Sequence, residues 1–357
     1  SYIVAYLRAL GYRLNNVVQT GSNFGLDQRH DSPFLCDIGS GTMVSDRLTI
    51  VNAATSSSSF QLRSVRIGDN NYLGNDIVFP AGSKTGANCL LATKVMVPID
   101  GPRRENVGLL GSPCFEIPRV VERDKQSKVT SDEERRSLLR KKERKNLATM
   151  ALLLLSRGLY AAAVLPPLCI AAMTFATHGV ALSCALVGLV VVFSLAYFAI
   201  VERASLGFGR LQARVVSMYD DYFLFHERHW KLSGSPLSRL FKGTPLKNFI
   251  SRLLGVKLGK MVFDDGCQLF DKTLLEIGAF ANLNEYSTFQ GHSLEEGLFK
   301  SDHIVVGDGC SLGLAAFIHY GVKIGDNAVI DADSFVMKGE SADMNTTWRG
   351  NPAKLVK

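Results

Sequence analysis

The sequence holds no C-x-x-C pair. Its seven cysteines (Cys36, Cys89, Cys114, Cys169, Cys184, Cys267 and Cys310) are scattered, and two of them lie in apolar spans. That spacing supplies neither a zinc knuckle nor a disulfide framework, and reduced thiols of a cytosol-facing protein are expected. A zincin motif is also missing, because His226 and His229 stand three apart where H-E-x-x-H needs four, so no metal is expected. Gly39-Ser40-Gly41 and Gly207-Phe208-Gly209 lack the βαβ context of a nucleotide loop. Excess charge is small, +7, and the basic residues gather beside hydrophobic segments rather than among aromatics. This excludes a nucleic-acid surface and points to membrane contact. The apolar spans are internal, which excludes a signal peptide. With Ser1 rather than Met at its start, the chain is expected to be part of a longer protein.

What is present is a six-residue period. From Val306 to Val336 it places Val306, Leu312, Ile318, Ile324, Ile330 and Val336 at the start of successive hexads, with Gly307, Gly313 and Gly325 second in three of them. Neither a helix nor plain strand alternation has this period. One inward aliphatic followed by a tight Gly, Asp or Asn corner is the pattern of a parallel β-helix coil. The stretch resembles the hexapeptide-repeat acyltransferases, as does the closing Trp348-Arg349-Gly350-Asn351-Pro352-Ala353-Lys354, which looks like their GNPAK-type tail.

A second copy of the pattern lies in the N-terminal third of the chain. Ile38, Val44 and Ile50 begin three hexads, and after a break Ile67, Leu73, Phe79, Thr85, Leu91 and Val97 continue them. At an offset of 239, Ile38 falls on Ile277, Phe60 on Phe299, Gly68 on Gly307, Gly86 on Gly325 and Pro113 on Pro352. Upstream, Leu10-Gly11 falls on Leu254-Gly255 at an offset of 244, so the first copy carries a short insertion, placed near Gln28–Phe34. One domain has been duplicated.

Between the copies, Ser131 to Glu134 reads as a capping box opening a basic helix. Leu147–Ala176, interrupted by Arg157 and Pro166-Pro167, and Val180–Val201, which has no charge, are each long enough to cross a bilayer. Thr177-His178-Gly179 is read as the turn of a hairpin. Basic flanks at both ends put both ends on the cytoplasmic side. Asp220–Leu232 reads as a juxtamembrane amphipathic stretch with Phe223, Phe225 and Trp230 in the headgroup zone, and His226 in it as an interfacial anchor.

The expected architecture is therefore mainly β: two left-handed parallel β-helix (hexapeptide-repeat) domains separated by a transmembrane α-helical hairpin. Residues 1–125 form the first, N-terminally truncated domain, 126–146 a basic juxtamembrane helix, 147–201 the hairpin (147–176 and 180–201), 202–245 the amphipathic segment and 246–357 the second domain. The protein is expected in the cell membrane as a multi-pass chain with both β-helix domains cytoplasmic.

Gln19-Thr20-Gly21-Ser22-Asn23-Phe24-Gly25, Arg29-His30-Asp31-Ser32-Pro33-Phe34-Leu35-Cys36 and Gly108-Leu109-Leu110-Gly111-Ser112-Pro113 resemble the membrane-embedded C-terminal region of the ε-poly-L-lysine synthetase family of non-ribosomal peptide synthetases. So do His226-Glu227-Arg228, Phe263-Asp264-Asp265-Gly266-Cys267, His292-Ser293, Phe299-Lys300-Ser301-Asp302 and His319-Tyr320-Gly321-Val322. The resemblance covers essentially the whole chain. It implies amide formation, with an aminoacyl group passing from the phosphopantetheine thioester of a carrier domain to an amine or peptide acceptor at the cytoplasmic face. It implies adenylation and carrier domains as partners, membrane lipid around the hairpin, and no nucleic acid. Those two domains are not in this sequence, so activation of the amino acid falls to them. One rival is a membrane-anchored hexapeptide acetyltransferase using acyl-CoA; another is a non-catalytic scaffold or export region. Tandem copies are expected to form an internal pseudo-oligomer, or the chain a homo-oligomer, with the first copy as a non-catalytic wall.

Amide formation from a thioester needs a base for the attacking ammonium and a donor for the developing oxyanion. Histidine suits the first task. The second copy has His292 and His319 where the first has Ala53 and Pro80. His292 is expected as general base because the hexads break around it: the step from Phe289 to Val306 is not a multiple of six, and loops thrown from a rigid scaffold carry catalytic groups. Glu295 or Glu296 is expected to orient its imidazole; the alternative is a solvent-exposed loop histidine. The family shows a Cys before this His and an Asp at the second acidic position, and Gly291 and Glu296 depart from both. His319 follows the inward Ile318 and is expected to point outward, in catalysis, in substrate binding or in a structural hydrogen bond. Lys300, Asp302 and Tyr320 are expected at the substrate or phosphopantetheine, against the alternative of a surface pair for the first two. His30-Asp31 forms a further possible base and orienter. No cofactor-binding residue is named by the sequence, and Ser56–Ser59 reads as a surface turn.

Overall fold

The computed structural model describes residues 2–15, 17, 19–20, 29–122, 131–234, 240–295 and 297–356. The chain divides into two units, Ser1–Gln126 with Gly350–Lys354, and Ser127–Arg349 with Leu355–Lys357. The helical hairpin and the amphipathic segment therefore share a unit with the second hexad copy rather than standing apart.

In the second unit, short strands stack in parallel into three sheets. Each turn of the coil advances by three hexads: Val306 pairs with Ile324, Leu312 with Ile330 and Ile318 with Val336. Every hexad-initial residue named above from Val306 to Val336 is buried, and so are Ile277, Leu283 and Phe289. The period exists because one residue per short strand enters the coil and the next residues turn a corner. At one such corner there is no room for a side chain, since a Cβ on Gly307 would overlap the Asp326 carboxylate. One coil is longer. Ile277 pairs with Val306, a step well beyond three hexads, because an antiparallel hairpin of His292–Glu295 and Leu298–Ser301 is thrown out of it.

The first unit opens with α1 (Tyr2–Ala9) and repeats this plan. Ile38 pairs with Ile67, the same long step as Ile277 to Val306, and Leu73 pairs with Leu91, the regular one. Its hexad-initial residues, Thr85 included, are buried. The long coil throws out the hairpin Ala53–Thr55 and Phe60–Leu62, closed by Ser56 and Ser59, whose hydroxyls hydrogen-bond at 2.9 Å in an exposed turn. The extra residues of this copy are not where they were expected. Strand Gln19–Thr20 matches Phe263–Asp264 at an offset of 244 and strand Arg29–His30 matches Gln268–Leu269 at 239, so the insertion lies between these strands. His30 is thereby in a coil strand paired with Ile50, not in an inserted loop.

The basic helix and the first apolar span are one element, α2 (Asp132–Met173), because no proline stands between Ser131 and Pro166 and Lys, Arg and Glu propagate helix well. Ser131 Oγ accepts from the Glu134 N–H at 3.1 Å, as a cap should. Helix α3 (Phe175–Ser205) follows; Thr174 caps the first helix and Gly179 (φ 65°) is non-helical, so the turn runs from Thr174 to Gly179. Both helices are long and apolar enough to cross a membrane. They hold each other through Tyr160 Oη to Ser194 Oγ at 2.8 Å, and the charge of Arg157 rests 4.8 Å above the Phe198 ring. Helices α4 (Asp221–Leu232) and α5 (Pro245–Leu253) then lead into the second coil.

Candidate active site

The chemistry of the second unit converges on Asp271. This residue precedes a short 3-10 turn and adopts a left-handed conformation (φ 52°), which Asp tolerates better than most residues. Its side chain is fully buried, and three donors from two other segments meet it. His226 Nε2–H and Trp230 Nε1–H donate to Oδ1 at 2.7 and 2.9 Å, and His292 Nδ1–H donates to Oδ2 at 2.5 Å. Burial alone would push this carboxyl up, but the positive ends of His292 and His226 and their hydrogen bonds hold it well below the ordinary carboxylate range. A Cβ on Gly291 would lie 3.1 Å from the Asp271 carboxylate, so the bare glycine before His292 allows this approach.

His292 begins a strand, not a loop. The hairpin is widened to three strands by Arg214–Ser217, which pairs with Leu298–Ser301. Its imidazole lies on the Trp230 ring, centroids 4.2 Å apart, and its side chain keeps 16% exposure. With Nδ1–H given to Asp271, the lone pair of Nε2 is the part left for a substrate proton. Asp271 thus takes the orienting role expected of Glu295 or Glu296. Glu295 is instead held by Ser293 Oγ at 3.1 Å, by an ion pair with Lys338, by Lys300 at 3.9 Å and by Tyr320 Oη at 3.5 Å. Burial would raise its carboxyl, and the two lysines keep it low. Glu296 lies outside the described residues.

His319 is buried rather than outward-facing. It sits between Phe317, Tyr320 and Phe335, in register with Gln290, and its Nδ1 accepts from the Tyr320 N–H at 2.9 Å. The ring is therefore neutral with its proton on Nε2; burial lowers it to about 3. Lys300 and Tyr320 join the Glu295 cluster, whereas Asp302 is exposed and accepts from the His303 N–H at 2.7 Å. In the first unit, Asp31 Oδ2 accepts from the backbone N–H groups of Asn52 and Ala53 at 2.7 and 2.8 Å, a structural task for this carboxylate.

The largest correction concerns α4. His226 is not an interfacial anchor: it is wholly buried, its Nδ1 has no hydrogen-bond partner among the described residues, and burial lowers its pKa. Phe223 and Trp230 pack with His226 around the buried Phe299, ring centroids 5.1, 5.8 and 4.9 Å away, and Phe225 alone of the three aromatics expected in the headgroup zone is exposed, at 37%. The spacing held the signal. His226 and Trp230 are four apart and so share a helix face, and His229, three on from His226, meets it edge-on with ring centroids 6.4 Å apart. His229 also turns to Ser205 Oγ, 2.8 Å away at the end of α3, and Lys272 Nζ, next to the Asp271 hub, pairs with the buried Glu202 at 2.5 Å.

The buried histidines make stability depend on pH. Burial lowers His229 to about 4 and His319 to about 3, whereas in the unfolded chain each takes a proton near 6.5. Between those values the unfolded state binds more protons, so stability falls as the pH drops below 6.5 and the loss stops growing below about 4 and 3. At pH 5 the two cost about 4 kcal/mol together. The melting temperature of the detergent-solubilised chain is expected to be flat above pH 7, to fall towards pH 5, and to fall less in His319→Asn.

Residues 303–338 match the family described as the hexapeptide repeat of succinyl-transferase. A delta-poly-L-ornithine synthetase of Acinetobacter baumannii is 24% identical over 99% of this chain; the chain spans 26% of that protein's length. A putative colanic acid biosynthesis acetyltransferase of Escherichia coli is 28% identical over 134 residues, 30% of this chain and 72% of its own. Among solved structures, a hexapeptide-repeat acetyltransferase of Vibrio cholerae is 17% identical over 34% of this chain and 85% of its own, with a TM-score of 0.29. The sequence relatives agree with the acyl-transfer class expected from the hexads. Over nearly its whole length, the chain is similar to about a quarter of a poly-amino-acid synthetase.

Proposed function

We propose that the chain is a membrane-bound acyltransferase region that forms amide bonds, taking an acyl or aminoacyl group from a carrier-bound phosphopantetheine thioester to an amine at the cytoplasmic face. The observation that carries this reading is the pair of buried Asp271 and partly exposed His292 on Trp230, in which Asp271 takes Nδ1 and leaves Nε2 of His292 for a substrate. His292 takes the proton of the attacking ammonium; the new C–N bond forms as the C–S bond breaks, and the proton leaves with the thiolate. His319, whose Nδ1 accepts from the Tyr320 N–H and whose other nitrogen bonds the Gln290 backbone, is assigned to hold the strand that leads into His292. Lys300 and Tyr320, around Glu295, are assigned to the acceptor or the pantetheine arm, and Asp302 to the rim.

The two coils are read as left-handed β-helical domains and the hairpin as two membrane crossings with both domains cytoplasmic. The first domain has Ser32, Ala53 and Pro80 in place of Asp271, His292 and His319, so the chemistry is assigned to the second. Adenylation and carrier domains supply the donor. Similarity to the colanic acid acetyltransferase favours a second reading, in which acyl-CoA is the donor. Membranes containing the protein, given an amine and either a chemically loaded carrier domain or acyl-CoA, distinguish the two. Product with the carrier alone is expected; product with acyl-CoA alone selects the second reading. His319→Phe is expected to lower the rate by less than the roughly 10²-fold that loss of one oxyanion donor costs; a drop of that size would put His319 at the oxyanion.

A further inference from the structure

The two copies differ most in what covers their hairpins. Both hairpins have the same register, Ala53 opposite Leu62 and His292 opposite Ser301. In the second unit the outer strand is paired by Arg214–Ser217 and roofed by α4, and Thr273, Phe299 and Ser301 are 5, 0 and 4% exposed. Their counterparts at the 239 offset are Phe34, Phe60 and Leu62, which are 69, 71 and 53% exposed. Among the described residues the first unit's hairpin remains two-stranded, and Phe60–Leu62 is a free edge with apolar side chains. An open apolar edge of this kind is a template for strand addition.

The duplication indicates what fits there. We propose that the Phe34, Phe60 and Leu62 surface receives a segment built like residues 214–232, an extended strand followed by an amphipathic helix, that is not part of this sequence. Phe60 would take the aromatic face of that helix as Phe299 takes Phe223 and Trp230. One difference in chemistry is required. His226 is buried against the Asp271 carboxylate, and the first copy offers Ser32 at that position, so the incoming helix carries an apolar residue in the place of His226. A polar ring buried there without its acceptor would weaken docking.

The test uses the full chain in detergent and two peptides copying residues 214–232, one unaltered and one with His226→Leu. Amide hydrogen exchange at Phe60, Gln61 and Leu62 is read with and without peptide. The His226→Leu peptide is expected to slow exchange at these amides tenfold or more and to bind more tightly than the unaltered one. Leu62→Asp, an exposed position, is expected to abolish both effects. Three results overturn the proposal: neither peptide slows exchange; exchange is already slow and quickens on dilution, which means that a second copy pairs the edge; or it is slow at every dilution, which means that the chain covers the edge itself.

Discussion

Asp271→Asn is expected to lower the rate of transfer by about 10²- to 10⁴-fold while leaving donor KM nearly unchanged. The carboxamide keeps an oxygen for the His226 and Trp230 donors, so the hub still folds. If its NH₂ faces His292, it donates to Nδ1 and drives the proton to Nε2, the atom that has to accept the substrate's proton. Asp271→Ala differs in kind, because it strands all three donors, His226, Trp230 and His292, at about 1–3 kcal/mol for each that stays buried. Comparing Asn and Ala in steady-state transfer and in thermal unfolding separates tautomer control from support of the fold. A rate within threefold of wild type in Asp271→Asn would remove Asp271 from the mechanism.

Lys272→Met is expected to destabilise the second unit by about 3–5 kcal/mol, since it leaves the carboxylate of Glu202, 2% exposed, without its partner. Glu202→Leu combined with Lys272→Met is expected to recover most of the loss, because an apolar pair of similar volume replaces buried charge at little net cost. Thermal unfolding of the two single variants and the double variant gives the coupling directly. Lys272 is covalently next to Asp271, and Glu202 closes α3, so this pair ties the foot of the hairpin to the hub. The single variant is therefore expected to lose transfer as well, and the double variant to regain it. Equal stability in all four proteins would mean that the pair is a bystander.

Periodicity exposed the coils, down to the residues that enter them, because each hexad buries one side chain and repeats. The duplication was legible for the same reason, and the asymmetry of His292 and His319 against Ala53 and Pro80 followed from it. The hub was not legible. Asp271, His226 and Trp230 lie in contexts with no shared period, joined only when α4 lies against the hairpin. Reading α4 as amphipathic located its apolar face correctly but set it against lipid, since a helix that buries Phe223 and Trp230 in protein has the same pattern as one that buries them in headgroups. Glu295 was chosen as orienter because it is near His292 in sequence. In the fold, alternation along the strand and two lysines take it to the other cluster.

Proton transfer by His292 is tested by comparing product formation in membranes carrying the protein, wild type and His292→Ala, with a chemically loaded carrier domain and an amine acceptor. Loss of product with carrier loading, expression and membrane insertion intact is the expected result. Undiminished product would contradict it and leave the second unit as a scaffold.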